Sequence, residues 1–185
     1  MTMERVFIGG SRAIRKLNQE VKLRLDKIME KGFPILIGDA SGADKAVQDY
    51  LWSRNYDQVE VFCMEGGCRN NIGGWKSRSV VSANGARGRD YYSAKDVEMT
   101  DESTIGFMLW DGDSRGTLAN IMRLVGQNKK VVVFVAPINE FHTIRSQGDA
   151  SKLVVTDNGV SKQRRAGGKK KSAPVSKGVS ASLSF

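Results

Sequence analysis

Short apolar strands alternate with amphipathic helical segments along this chain, and glycine-bearing turns join them. Together these two observations predict an α/β protein: a Rossmann-like three-layer α/β/α fold with a mostly parallel sheet of about five strands or more. At 185 residues the chain accommodates one such domain, expected over residues 1–158, followed by a basic disordered tail over 159–185.

The first apolar run, Val6 to Ile8, meets Gly9-Gly10-Ser11-Arg12, after which Leu17, Val21, Leu25 and Ile28 recur at spacings of four, four and three. This reads as strand, glycine turn and amphipathic helix. The unit repeats at once. Ile35-Leu36-Ile37 runs into Gly38-Asp39-Ala40-Ser41-Gly42-Ala43-Asp44, and Ala43, Ala46, Val47, Tyr50 and Leu51 follow at helical spacing. Val59 to Phe62 supplies a third strand. Glu65 to Arg89, rich in Gly, Asn, Ser, Arg and Lys, reads as a long loop beside the sheet. Ile105 to Trp110 forms the next strand, followed by a helix bearing Leu118, Ile121, Met122 and Val125, and the last strand runs from Val131 to Val135 and ends at Pro137. From about Gly159 the chain is Lys, Ser, Gly and Ala with few large apolar residues, which cannot bury enough surface to offset the entropy of ordering.

The net charge of +9 suggests nucleic-acid binding until it is located. Lys162, Arg164, Arg165, Lys169, Lys170, Lys171 and Lys177 cluster in the tail, where no acidic residue occurs from Ser161 onward, so the folded part is much closer to neutral. No run approaches the roughly 18 apolar residues of a membrane span, and Met1 to Arg12 lacks a signal-peptide pattern. The expectation is therefore a cytoplasmic protein without a membrane partner. Cys63 and Cys68 are the only cysteines and His142 the only histidine, which predicts neither a disulfide framework nor a zinc site. No metal and no cofactor are expected, and His142, after the last strand, reads as structural.

In open parallel sheets the turns at the carboxyl ends of the strands gather around one crevice, where helix amino termini aim N–H groups at a ligand. Three turns have the residues for phosphate: Gly9-Gly10-Ser11-Arg12, Gly38 to Asp44 with Asp39, Ser41, Gly42 and Ala43, and Asp111-Gly112-Asp113-Ser114-Arg115-Gly116-Thr117. Glycine lets the backbone approach phosphate oxygens, Ser and Thr add hydroxyl donors, and Arg12 or Arg115 supplies charge. None of the turns is a Walker loop or a strict Gly-x-Gly-x-x-Gly, which disfavours ATPase and hydride-transfer chemistry. Arg69, Asn70, Asn71, Lys76, Arg78, Arg87 and Arg89 concentrate positive charge in the long loop, as a lid over an anion would. Trp110, at a strand end beside Asp111, is the best base-stacking candidate, ahead of Trp75, Tyr91 and Tyr92.

The run Lys95-Asp96-x-x-Met99, continuing through Ile105 to Leu109 into Trp110-Asp111-Gly112-Asp113-Ser114-Arg115-Gly116-Thr117-Leu118-Ala119-Asn120, together with Cys68-Arg69-Asn70-Asn71-Ile72-Gly73, resembles the SLOG superfamily. That superfamily includes the LOG phosphoribohydrolases, DNA-processing protein A and sensors of nucleotide-derived signals. The resemblance spans about Arg5 to His142 and points to a bacterial and phage branch. It implies a phosphate-holding turn at Gly116 and Thr117. In LOG enzymes this turn reads Pro-Gly-Gly-x-Gly-Thr-x-x-Glu, and here Asn120 stands in place of the Glu, while Lys95 stands where the catalytic Arg would. Lysine keeps the charge but loses the planar fork that grips phosphate bidentately. An amide cannot take a proton as a carboxylate does, so cleavage of a base from ribose phosphate would need another acid or base, from among Asp39, Asp44, Asp96, Asp111 and Asp113.

The leading expectation is therefore a module that binds a nucleotide-derived phosphate ligand, such as a nucleoside monophosphate or an ADP-ribose-like compound, as a sensor or sequestering protein. The alternatives are an N-glycosidase or phosphoribohydrolase with Lys95, Asp111 and Asn120 at its centre, and single-stranded nucleic-acid binding aided by the tail. The resemblance also implies a homodimer.

Overall fold

The computed structural model describes residues 3–83 and 86–153. The basic tail and its nucleic-acid role fall outside the described residues. The elements in chain order are β1 (Val6–Gly10), α1 (Gln19–Glu30), β2 (Ile35–Gly38), α2 (Ala43–Ser53), β3 (Val59–Met64), β4 (Lys76–Val80), α3 (Gly88–Glu102), β5 (Ile105–Trp110), α4 (Arg115–Gly126), β6 (Lys130–Val135) and β7 (Glu140–Ile144). A further helical stretch covers 147–153.

The inner strands β1, β2, β3, β5 and β6 are largely apolar on both faces because both faces are covered. Val6 and Ile8 of β1, Ile35 and Ile37 of β2, Val61 and Cys63 of β3, and Phe107 and Leu109 of β5 pack with Val21, Leu25 and Ile28 of α1 and Val47 and Leu51 of α2. The alternate residues Phe7, Leu36, Phe62, Met108 and Trp110 point the other way, into a second core with Met99 of α3 and Ile121 and Leu124 of α4. Period-two alternation thus builds a three-layer α/β/α sandwich, as the sequence predicts. At the start of α1, Asn18 caps the helix by accepting a 2.9 Å bond from the Val21 N–H.

The strand order is β4-β3-β2-β1-β5-β6-β7. All pairings are parallel except β6 with β7. Chain order runs outward in one direction from β1 to β4 and in the other from β5, so the switch point lies between β1 and β5, where open α/β sheets form their ligand crevice. Among the described residues no helix is long and apolar enough to cross a membrane.

Three expectations need correction. The segment Glu65 to Arg89 is not a loop throughout: Lys76–Val80 pairs with β3 as an edge strand and Gly88 opens α3. His142 does not follow the last strand but lies within β7, opposite Val133. Cys63 and Cys68 form a disulfide, because the short turn after β3 brings Cys68 back beside the buried Cys63.

Candidate functional site

At the switch point the turn after β1 and the turn after β5 are tied together. The Ser11 N–H donates to the Leu109 carbonyl at 2.9 Å. Its hydroxyl donates to Asp111 Oδ1 at 2.9 Å, accepts from the Asp111 N–H at 3.1 Å, and lies 3.3 Å from Thr117 Oγ1. The same Asp111 oxygen accepts from the N–H groups of Asp113 at 3.1 Å and Ser114 at 2.8 Å. Ser11 is fully buried and Asp111 is partly buried; the two tie the turns together as a structural clamp, and neither lines the cleft. Trp110, expected as the base-stacking candidate, is 2% exposed in the core and its indole N–H donates to the Ser114 carbonyl at 3.2 Å.

Above this clamp lies a cleft of about 450 Å³. Gly9, Gly10 and Arg12 enter it from β1 and its turn, and Ser114, Gly116, Thr117 and Asn120 from α4. Arg69, Asp44 and Lys95, each expected at the site, also line it. Arg89, expected in the lid, Tyr92, expected as a stacking candidate, and Asp96, expected among the candidate acids, line it too, whereas Phe7, Gly88 and Met99 were not expected at the site. Gly88, Arg89, Tyr92, Asp96 and Met99 all come from α3, whose apolar spacing is too weak to show which face it turns inward. Gly38, Asp39, Ser41, Gly42, Ala43, Asn70 and Gly112 stand outside the lining.

Most of those outer residues support the cleft. A Cβ on Gly38 would come 2.5 Å from Asp44 Oδ2 and 2.6 Å from Lys95 Nζ, so only glycine lets these two side chains cross over the end of β2. Gly42, at φ +88°, presses against the Arg12 backbone, and the Ala43 N–H donates to the Ser11 carbonyl at 3.2 Å. The amino end of α2 is thereby consumed internally, its Asp44 carboxylate also accepting from the Ala40 N–H at 3.2 Å. The amino end of α4 differs. Ser114 Oγ accepts a long 3.4 Å bond from the Thr117 N–H, while the N–H groups of Arg115 and Gly116 meet no acceptor among the described residues. A Cβ built on Gly116 finds nothing within 4 Å, so this end of the helix opens on free space.

A chain of charged and amide groups crosses the cleft floor. Arg123 Nη1 donates to Asn120 Oδ1 at 2.6 Å, and Asn120 Nδ2 donates to Asp96 Oδ2 at 3.0 Å. The other Asp96 oxygen lies 3.4 Å from Lys95 Nζ, which is 3.7 Å from Asp39 Oδ1. Asp39 accepts from Arg69 at 2.6 and 3.2 Å through the guanidinium and at 3.0 Å through the backbone N–H. Arg69 in turn lies over the Tyr92 ring, 4.5 Å from its centroid. Asn70 belongs to the same scaffold, its side-chain amide donating to the Asp39 carbonyl at 2.8 Å.

Burial opposes ionisation of Asp39, but its bonds from Arg69 and the Lys95 charge outweigh this and hold the carboxyl below its ordinary range. For Lys95, burial disfavours the ammonium, yet Asp96, Asp44 and Asp39 together raise its pKa, so it stays protonated. Asp44 is pushed up to about 6, because its burial outweighs the pull of Lys95. Among the described residues no group of three or more His, Cys, Asp or Glu is placed to hold a metal ion.

Comparisons with protein-family models, curated proteins and solved structures find no match for this chain. What the site does must be argued from its own chemistry. A cleft at a parallel-sheet switch point, with one helix amino end open and a cationic side chain on the adjoining turn, is suited to an anion.

Proposed function

We propose that this cleft binds the phosphate of a nucleotide or nucleotide-derived ligand, and that the protein acts as a sensor or sequestering module. The observation that carries the reading is the open amino end of α4, Ser114 to Thr117, facing the cleft beside Arg12. The resemblance of the Gly116-Thr117 turn to the SLOG phosphate turn supports it. The remaining cleft volume, with Phe7 and Met99 on its wall, offers apolar surface to a sugar or base. The test is calorimetric titration of AMP into the wild type and Gly116→Asp. The substituted carboxylate has room and suits a helix amino end, so the fold is kept while the anion is repelled. Binding to the wild type and a loss of about tenfold or more in the variant supports the reading; equal affinity contradicts it.

A second reading, cleavage of the N-glycosidic bond, is favoured by Asp96. Asn120 occupies the position of the LOG glutamate, but its amide holds the Asp96 carboxylate at the cleft wall next to Lys95. A carboxylate suited to general acid–base work is therefore present, contributed by α3 instead of α4. On this reading adenine appears in an NMR time course with AMP, and Asp96→Asn abolishes its release while Asp111→Asn leaves it measurable. Broadening of AMP signals without free adenine leaves the binding reading alone.

A further inference from the structure

The Cys63–Cys68 disulfide closes the turn that delivers Arg69 to the cleft. Cys63 is 1% exposed and fixed in β3 between β2 and β4, where it pairs with Ser79. Between the cysteines, Gly66 and Gly67 stand at φ +101° and +111° with nothing near a Cβ, and the turn is held at its start by Glu65, whose N–H donates to the Val80 carbonyl at 3.0 Å and whose carbonyl accepts from the Tyr91 hydroxyl at 3.2 Å, and by a long 3.3 Å bond from the Gly67 N–H to the Met64 carbonyl. The residue after Cys68 is Arg69, which makes three hydrogen bonds to Asp39 and covers Tyr92. On its far side Arg69 is held by Asn70 on the Asp39 carbonyl and by Gln48, which donates to the Asn70 carbonyl and accepts from the Ile72 N–H. On the near side the disulfide is the covalent tie that joins Cys68, next to Arg69, to the buried strand β3.

Charge makes this tie consequential. Lys95 and Arg69 pair with Asp39 and Asp96 at the cleft, Asp44 lies beside them, and Arg12 and Arg89 add positive charge to its lining. If Arg69 withdraws, Asp39 loses its guanidinium partner and the cleft wall becomes more negative, which disfavours an anionic ligand.

We propose that the Cys63–Cys68 bond is a redox control on the cleft: oxidised, it docks Arg69 on Asp39; reduced, it releases Arg69 and weakens anion binding. The regulation of ligand affinity rests on the nucleotide-binding reading above, whereas the docking of Arg69 does not. The co-reactant is a dithiol. Its thiolate attacks the half-buried Cys68 sulfur and Cys63 leaves as a thiolate that takes up a proton; the second thiol then closes a cyclic disulfide on the reagent and frees Cys68. Two electrons pass to the protein, one S–S bond is exchanged for another, and both cysteines end as thiols.

The experiment records the Arg69 Nε–H resonance and AMP affinity on the full chain, oxidised and then reduced with dithiothreitol, with Cys63→Ser/Cys68→Ser as a second permanently open form. Arg69→Gln identifies the resonance. The expected result is a protected Nε–H signal only in the oxidised chain and AMP binding weakened about tenfold in both open forms, reversibly for the wild type. An Nε–H signal unmoved by reduction overturns the proposal, as does a moved signal with unchanged AMP affinity. If the oxidised chain binds no AMP at all, the nucleotide-binding reading and the control of affinity fail together, and the Arg69 signal alone decides whether the disulfide docks this residue.

Discussion

Gly38 and the two side chains above it are closely packed at the rim of the site. Gly38→Ala forces a methyl into contact with Asp44 and Lys95. Because Asp44 and Lys95 are buried and held by their neighbours, the displaced carboxylate and ammonium must give up part of their present contacts, with an expected stability loss of roughly 1–3 kcal/mol in urea unfolding. Asp44 gives the molecule a defined pH dependence. Its carboxyl is raised to about 6, so between about pH 4 and pH 6 the folded chain holds a proton the unfolded chain has released. Stability from this group is therefore greatest below pH 4 and is lost as pH rises through 6, by on the order of 3 kcal/mol. Asp39, whose pKa is lowered, acts in the opposite sense and at lower pH, where protonation removes its bonds from Arg69. Urea unfolding at pH 4.5 and pH 7 should show the wild type losing on the order of 2 kcal/mol that Asp44→Asn does not lose. Parallel pH profiles for the two proteins would contradict the buried-carboxyl account. The glycines of the site were visible as residues in the sequence, but the reason for Gly38 was not, because Asp44 and Lys95 meet only across the sheet.

At the scale of elements, legibility followed apolar periodicity. β1, β2, β3, β5 and β6 are apolar runs, and α1 and α4 carry Val21, Leu25, Ile28 and Ile121, Leu124, Val125 on buried faces, so their positions could be read directly. β4 could not. Lys76-Ser77-Arg78-Ser79-Val80 is an edge strand whose outward residues are polar, and Arg78 folds back onto Glu60 and Glu102 and over Phe62. α3 is equally opaque because its buried face is Lys95, Met99 and Thr100, chosen for the cleft as much as for the core. That opacity hid the inward turn of Gly88 and Met99. Trp110, whose place at a strand end suggested stacking, packs in the core, and Asp111 closes the turn before α4. For α4 the account predicts a coupled effect. Ser114 caps the helix through the Thr117 N–H. Ser114→Ala should cost about 1 kcal/mol of stability and weaken AMP binding as well. A stability loss with unchanged affinity would separate the cap from the ligand site.

Across the whole molecule, the parallel sheet gathers turns from β1, β2 and β5 at one edge, and the crossover from β4 carries α3 back over β3 and β2 to complete the cleft wall. The resulting cleft joins an open helix end, an interior charge chain and, next to a disulfide, an arginine paired with Asp39 within one site. The central claim is that an anion sits at the amino end of α4. The most direct measurement is a titration of AMP into uniformly ¹⁵N-labelled oxidised protein, followed by amide resonances at low and high salt. The account predicts saturable shifts concentrated at Ser114, Arg115, Gly116 and Thr117, with affinity falling as salt rises. Amides of this turn that stay unmoved at saturating AMP, or shifts confined to another face of the sheet, would contradict it.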